Sequence, residues 1–223
     1  MTNSSLPVLS LLETRILGVL AEKQHTVPDS YPLTLNALVV GCNQKSSRDP
    51  IMDVSQFEVQ DVVDNLKHMS LVIESSGGRV ARYEHNIGRV LHIPTQSTAL
   101  LAMLMLRGPQ TTGELRVNCE RLYRFADISS VESFLNELAE RTAGGLVREL
   151  PRHPGLRENR WAHLLSGEPE IAATPLSVNM SEVNDTSSKM DGLKADVARL
   201  EIEVGVLRKT VNELCLQLGI TVE

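Results

Sequence analysis

A polar run at 43–49, between two apolar stretches, carries the side chains best suited to phosphate contact. The candidates in this run are Asn43, Gln44, Lys45, Ser46 and Arg48. Amide, ammonium, hydroxyl and guanidinium groups all donate hydrogen bonds to phosphate oxygens. The alternative is a loop that bonds to itself, with Asp49 holding Arg48 or a backbone amide. The sequence leaves both interpretations open.

A second set of candidates lies in two predicted hairpins that are rich in arginine. Because guanidinium is a planar fork, it suits phosphate and carboxylate groups. Glu149 and Glu158 partly neutralise the second hairpin, so a solvated basic hairpin is the competing interpretation. The candidate arginines are Arg79 and Arg82 in the first hairpin, and Arg148, Arg152, Arg157 and Arg160 in the second.

Motifs for catalysis or metal binding are absent from the sequence. It has no glycine-rich phosphate loop, paired-histidine metal helix, nucleophile elbow or cysteine pair. We expect Cys42 and Cys119 to be small buried residues, and His153 and His163 to lie at the surface. The sequence therefore predicts a protein that is not an enzyme, with no cofactor and no metal site.

Composition limits the class of protein. Of 223 residues, 42% are apolar, which is enough for a core, and 3% are aromatic, which argues against stacking platforms for single-stranded nucleic acid. The net charge is −6, and residues 167–223 hold 5 basic and 10 acidic side chains. No apolar stretch approaches the roughly 20 residues that span a bilayer. With unpaired cysteines and no signal peptide, we expect a cytoplasmic protein without membrane contact.

The region before residue 167 contains one helical pattern twice. Capping boxes predict a first helix that begins at Ser10 and third helices that begin at Ser55 and Ser129. The first helix of the second copy is expected to open near Ser97, where the same apolar spacing starts. Between the first and third helices we expect a short second helix in each copy, in which Leu38 precedes Cys42 by four residues, as Leu115 precedes Cys119. Hairpins follow, with strands predicted at 71–74 and 79–83 in the first copy, and at 146–150 and 160–163 in the second.

Three helices followed by a hairpin is the winged-helix arrangement. We predict a mainly α protein with small β-hairpin wings, built from two tandem winged-helix domains at 6–93 and 95–166. A flexible linker at 167–187 and a coiled-coil helix at 188–219 would follow. The third helices bear carboxylates that would repel phosphates, so a solvated face or a surface for a basic protein partner is also open.

The C-terminal stretch repeats an apolar residue at alternating steps of three and four. This spacing is typical of a coiled coil, and valine at a with leucine at d favours two parallel strands. An amphipathic helix packed on its own domain is the alternative. Charge pairs between neighbouring heptads conflict, so strand orientation stays open. The predicted dimerisation residues are Leu193, Val197, Leu200, Val204, Leu207, Val211 and Leu214.

Several stretches resemble the YceH family of bacterial proteins. The resemblance covers nearly the whole chain, including 12–24, 26–36, 106–111 and 152–158. Its most specific part is Cys42-Asn43-Gln44-Lys45-Ser46-Ser47-Arg48-Asp49-Pro50-Ile51-Met52. The resemblance implies tandem winged helices and points to no particular biochemical activity.

Two functional hypotheses follow from these patterns. The first is a dimeric, non-enzymatic DNA-binding protein, such as a transcriptional regulator, that contacts phosphates through the loop at 43–49 and the hairpins. The second is a scaffold whose winged helices contact an unknown protein partner without DNA. Phosphate contacts make affinity fall steeply with salt, so a salt-dependent DNA titration separates the two.

Overall fold

A computed structural model describes residues 8–75, 78, 80–152 and 158–168. These residues belong to the first of two units into which the chain divides, Met1–Ile171. They form a mainly helical structure with two small antiparallel sheets. We call 8–93 the first half and 95–168 the second half. The predicted dimerisation residues and almost all of the predicted linker lie outside the described residues.

The first half contains three main helices and a small sheet. The strands of this sheet are antiparallel and lie in the order β1-β3-β2. A short helix, α4, leads into the second half. The elements are α1 (Leu11–Thr26), a 3-10 turn (Pro28–Ser30), β1 (Leu33–Thr34), α2 (Leu35–Cys42), α3 (Gln56–His68), β2 (Val72–Ser75), β3 (Arg82–His85) and α4 (Ile87–Leu91).

The second half repeats the order of three helices and a hairpin. Its strands pair antiparallel, and an isolated bridge between Gln110 and Trp161 corresponds to the β1–β3 pair of Leu33 with Tyr83 in the first half. The elements are α5 (Thr95–Arg107), α6 (Thr112–Asn118), α7 (Ile128–Ala139), β4 (Val147–Leu150) and β5 (Arg160–His163).

Two of the four predicted helix starts are confirmed, the start near Ser97 falls at Thr95, and the start at Ser129 is wrong. Ser10 and Ser55 each form a complete capping box at the start of α1 and α3. In contrast, α7 begins after Asp127, whose carboxylate accepts the Ser130 amide at 2.7 Å. Asp127 therefore caps the helix two residues before the expected position, Ser129. Helix α5 begins after Pro94, and Ser97 is buried inside it.

The first hairpin differs from its prediction in one strand. Strand β3 covers Arg82–His85 rather than 79–83. Its register is set by Tyr83, which is buried opposite Leu33 on one side and pairs with Glu74 on the other. Because a shift of one residue would turn Tyr83 toward solvent, the buried aromatic ring decides where the strand pairs.

Close packing of α1 against α5 joins the two halves. Both helices are buried over most of their length, and each supplies leucines to one continuous core. Gly18 lies at the contact, where an added Cβ would come within 2.9 Å of Leu106 Cγ. A glycine is therefore needed for the two helices to approach this closely.

Candidate functional site

The polar loop at 43–49 is hydrogen-bonded to itself and to its neighbours. The Asn43 side chain donates to the Val54 carbonyl at 2.8 Å and accepts from the Val54 amide at 2.8 Å. Gln44 Nε2 donates to the Ser46 carbonyl at 3.0 Å. These bonds occupy the amides that were expected to contact phosphate, while Lys45 and Ser46 are exposed.

Arg48 is buried, so its expected phosphate contact is wrong. Only 6% of the residue is exposed. Its guanidinium donates to both carboxylate oxygens of Glu22, at 3.2 and 2.6 Å, and its Nε donates to the Gly41 carbonyl at 3.2 Å. A guanidinium pairs with a carboxylate in this two-pronged way when the pair is shielded from water. Arg48 therefore holds the loop to α1 from the inside.

The electrostatics of Glu22 follow from this pair. Burial raises the pKa of the Glu22 carboxyl. Arg48 and Lys23 lower it through their hydrogen bonds and their charges, and together they outweigh burial and leave the pKa below its ordinary value. The carboxylate is consequently charged at neutral pH, and removing Arg48 would leave it buried without its main partner.

Further bonds fix the same loop between the two halves. Arg15, which is fully buried on α1, donates to the Pro50 carbonyl at 2.7 Å and to the Cys42 carbonyl at 3.3 Å. From the second half, Arg107 donates to Ser47 Oγ at 2.6 Å, and the Leu106 carbonyl accepts the Asp49 amide at 2.8 Å. The loop is thus a clasp between the halves rather than a free basic surface.

Arg82 and Arg160 occupy equivalent positions and make equivalent contacts. Arg82 Nη1 donates to the Pro32 carbonyl at 2.7 Å, and Arg160 Nη1 donates to the Pro109 carbonyl at 2.7 Å. Arg160 also forms a two-pronged pair with Glu114 at 3.0 and 3.1 Å. Each arginine therefore ties a hairpin to the segment that leads into the second helix of its half, through Nη1 alone for Arg82 and through both Nη1 and Nη2 for Arg160.

The remaining hairpin arginines are in different situations. Arg148 forms an ion pair with Glu168. Arg152 is exposed. Arg79 and Arg157 lie outside the described residues.

An open groove lies between α7 and the second hairpin. It has a volume of about 500 Å³ and is lined by the charged residues Glu132, Glu149, Glu158 and Arg152. Ile128, at the first position of α7, adds an apolar side chain to its wall. We call this the acidic groove, because three carboxylates face a single guanidinium. Its potential attracts cations and repels phosphates.

His85 and His163 also occupy equivalent positions, at the ends of β3 and β5. His163, expected at the surface, is half-buried, and its Nδ1 is buried without a hydrogen-bond partner. The same holds for Nδ1 of His85. Burial lowers the pKa of each imidazole to about 4, with a smaller contribution at His85 from the charge of His25. Both rings are therefore neutral at pH 7.

Cys42 and Cys119 are fully buried at equivalent positions, as the repeat predicted. Burial raises the pKa of each thiol to about 12, which keeps both protonated and weakly nucleophilic at neutral pH. In the part of the chain that the structure describes, no three His, Cys, Asp or Glu side chains converge as a metal site would require. Nor does that part contain a helix long and apolar enough to cross a bilayer.

The structure reveals a cationic surface that the sequence analysis missed. Arg116, Arg121 and Arg124 are exposed on α6 and on the turn that follows it. Val117 lies among them and is 67% exposed. We call these four residues the arginine–valine patch. Three arginines within nine residues were a visible signal, but the equivalent loop of the first half, with its buried arginine, shows that such a cluster alone does not reveal exposure.

Comparison with known proteins places the chain in a family. A family model described as "Protein of unknown function, DUF480" matches residues 9–156. A UPF0502 protein of Dechloromonas aromatica is 58% identical over 200 residues, covering 88% of this chain and 94% of the relative. UPF0502 proteins of Burkholderia ambifaria and Methylibium petroleiphilum are 55% and 54% identical over 224 and 217 residues, or 100% and 97% of this chain. In keeping with the resemblance to the YceH family, the chain belongs to the DUF480 (UPF0502) family of bacterial proteins.

Proposed function

We propose that the two halves are tandem winged helices and that the protein is a non-enzymatic module for binding other proteins. The support is the repeated order of three helices and a hairpin, with Arg82, Tyr83 and His85 matched by Arg160, Trp161 and His163. In this proposal the acidic groove receives a basic segment of a protein partner. A homodimer through the heptads at 188–219, outside the described residues, would present each groove twice.

The charge of the acidic groove is the observation that carries this proposal. A winged helix that binds a duplex offers it the third helix and the wing, and it needs cations there because each phosphate is negative. Here that place holds Glu132, Glu149 and Glu158 against Arg152. Glu137, which is also exposed on α7, adds a further negative charge.

The third helix of the first half supports the same conclusion. Helix α3 carries exposed Glu58 and Asp61 and half-buried Asp64. Its one lysine, Lys67, is paired with both Asp64 and Glu74. A phosphate approaching this face would meet carboxylates before it met a free cation.

DNA binding is the second candidate function. Exposed Lys45 and Ser46 on the loop and exposed Arg152 on the second hairpin favour it. These side chains are far fewer than the set expected from the sequence, because Arg48, Arg82, Arg148 and Arg160 have partners within the protein. A duplex bound through so few contacts would be held weakly and without a steep salt dependence.

A binding titration with two probes separates the candidates. The full chain is titrated against a fluorescein-labelled lysine-rich peptide and against a labelled DNA duplex over a series of salt concentrations. We expect the peptide to bind more tightly than the duplex. Glu132→Gln combined with Glu149→Gln should lower the affinity for the peptide about tenfold.

The matched control is Asp29→Asn combined with Asp53→Asn. Both aspartates are exposed in the first half, and the double change alters net charge by the same amount. This control should bind the peptide as the unmodified chain does. If the duplex binds more tightly than the peptide, or if the control and the groove variant lose the same affinity, the proposal fails.

A further inference from the structure

The arginine–valine patch is a cationic surface on a chain whose net charge is negative. Arg116, Arg121 and Arg124 are all exposed, and Glu120 is the single carboxylate among them. The chain as a whole carries a net charge of −6. A local excess of positive charge that the surrounding residues do not neutralise is available to a ligand of opposite sign.

The backbone under the patch is held firmly. Leu122 and Phe125 are buried, and the amides of Leu122 and Tyr123 both donate to the Cys119 carbonyl, at 2.7 and 2.8 Å. The rings of Tyr123 and Phe125 pack edge to face with centroids 4.9 Å apart. Because the residues between the arginines are anchored in the core, Arg121 and Arg124 extend from a fixed turn.

One contact orients the helix side of the patch. Arg116 Nη2 donates to the Ala126 carbonyl at 3.3 Å, which places its guanidinium near the start of α7. Between the helix and the turn is a hollow of about 110 Å³ lined by Arg116, Val117, Glu120, Arg124 and Phe125. An apolar side chain entering this hollow would have valine and phenylalanine beside it and guanidinium groups at its rim.

We propose that the arginine–valine patch is a docking surface for an acidic protein segment in which an apolar side chain lies between carboxylates. Each carboxylate would form a two-pronged pair with a guanidinium, and the apolar side chain would cover Val117. A nucleic acid backbone supplies the anions but nothing apolar for Val117. A peptide supplies both parts, so the patch fits a protein partner better than a duplex.

This surface differs from the acidic groove in sign and shares no lining residue with it. The groove is lined by the first residues of α6, by α7 and by the hairpin, whereas the patch is formed by the later part of α6 and the turn after it. The first half provides an internal control, because Val40 occupies the position of Val117 and is 72% exposed. Val39 and Gln44 stand where the second half has Arg116 and Arg121.

Fluorescence anisotropy with synthetic peptides tests the proposal on the full chain. The probe is a labelled peptide with one leucine flanked by aspartates and glutamates, and its match has serine in place of the leucine. The leucine peptide should bind at low salt, and the serine peptide about fivefold more weakly. Arg121→Ala combined with Arg124→Ala should lower the affinity for the leucine peptide about tenfold or more.

The decisive comparison is between the two exposed valines. Val117→Ser should lower the affinity for the leucine peptide about fivefold, while Val40→Ser should leave that affinity unchanged. Arg89→Ala, which removes an exposed arginine from the first half, should also have no effect. Circular dichroism melts of every variant establish that each is folded.

Three results would overturn the proposal. The first is a leucine peptide that does not bind even at low salt. The second is equal binding of the leucine and serine peptides, or equal loss from Val117→Ser and Val40→Ser. The third is a labelled duplex that binds more tightly than the leucine peptide and depends on Arg121 and Arg124, which would make the patch a phosphate surface.

Discussion

The two connections between second and third helices differ in where they place their cations. In the first half, Arg48 turns inward, pairs with Glu22 and leaves mainly Lys45 exposed. In the second half, Leu122 and Phe125 turn inward, and Arg121 and Arg124 face solvent. The interior of one turn is therefore polar and paired, and that of the other is apolar.

The difference shows that arginine in a loop has two separate uses. Where a loop lacks apolar residues that can fill the core, a guanidinium with several carbonyl and carboxylate partners can hold it in place. Where leucine and phenylalanine fill the core, the arginines stay exposed to solvent. The clasp of the first half and the patch of the second half thus arise from the same helical arrangement.

The largest effect is expected from breaking the buried pair of the first half. Arg48→Ala leaves Glu22 charged and largely buried, which should lower the free energy of unfolding by about 3–5 kcal/mol. Arg124→Ala, in the corresponding connection of the second half, should change it by no more than about 0.5 kcal/mol. Denaturant unfolding of both variants measures the contrast.

A rescue variant sharpens this test. Arg48→Met combined with Glu22→Leu replaces the pair with apolar groups and should recover much of the loss. Similar stabilities for Arg48→Ala and Arg124→Ala would mean that the two connections do not differ as the structure indicates.

Acid should destabilise both halves through equivalent histidines. Because folding lowers the pKa of His85 and His163 from 6.5 to about 4, the unfolded chain binds more protons between these values. Stability is complete above pH 6.5 and falls as the pH drops toward 4, by roughly 2–3 kcal/mol for each histidine. Unfolding of His85→Gln and His163→Gln as a function of pH should show a shallower decline; a decline equal to that of the parent chain would contradict the assignment.

A smaller effect separates the two hairpin arginines. Arg160→Ala removes a carbonyl contact and the pair with Glu114, whereas Arg82→Ala removes carbonyl contacts alone. Since both side chains are exposed to solvent, we expect losses of about 1 and about 0.5 kcal/mol. Thermal unfolding at low and high salt provides the measurement. The melting temperature of the parent chain should fall more with salt than that of Arg160→Ala, because salt screens the pair with Glu114. Equal salt responses would show that the pair with Glu114 contributes nothing.

The smallest effect on the stability of the two halves is expected from removing residues 188–223. The heptads predict that this deletion converts a dimer to a monomer in sedimentation, because the apolar stripe would no longer pair. The main thermal transition should stay almost unchanged. A shortened chain that still sediments as a dimer would place the interface in the halves themselves.

Much of the fold could be predicted from local patterns. The capping boxes at Ser10 and Ser55, the buried cysteines and the second hairpin were all predicted from short spacings, because each depends on residues within a few positions. The start of α7 was missed because Ser129 and Asp127 both satisfy a capping pattern, and sequence alone does not rank them. Strand β3 was shifted because its register depends on β1, a strand of two residues.

The candidate site was less predictable, because residue type does not reveal whether a side chain is exposed. The sequence by itself determined the repeat, the acidic third helices and the heptads, since each is a periodic pattern along one segment. Only the tertiary structure decided that Arg48 lies inside, that Arg82 and Arg160 hold the hairpins, and that Arg121 and Arg124 remain exposed. A charged side chain goes where its partners are. Arg48 is paired with Glu22, Arg82 with Pro32 and Arg160 with Pro109, and each of these partners lies at least 26 residues away in sequence.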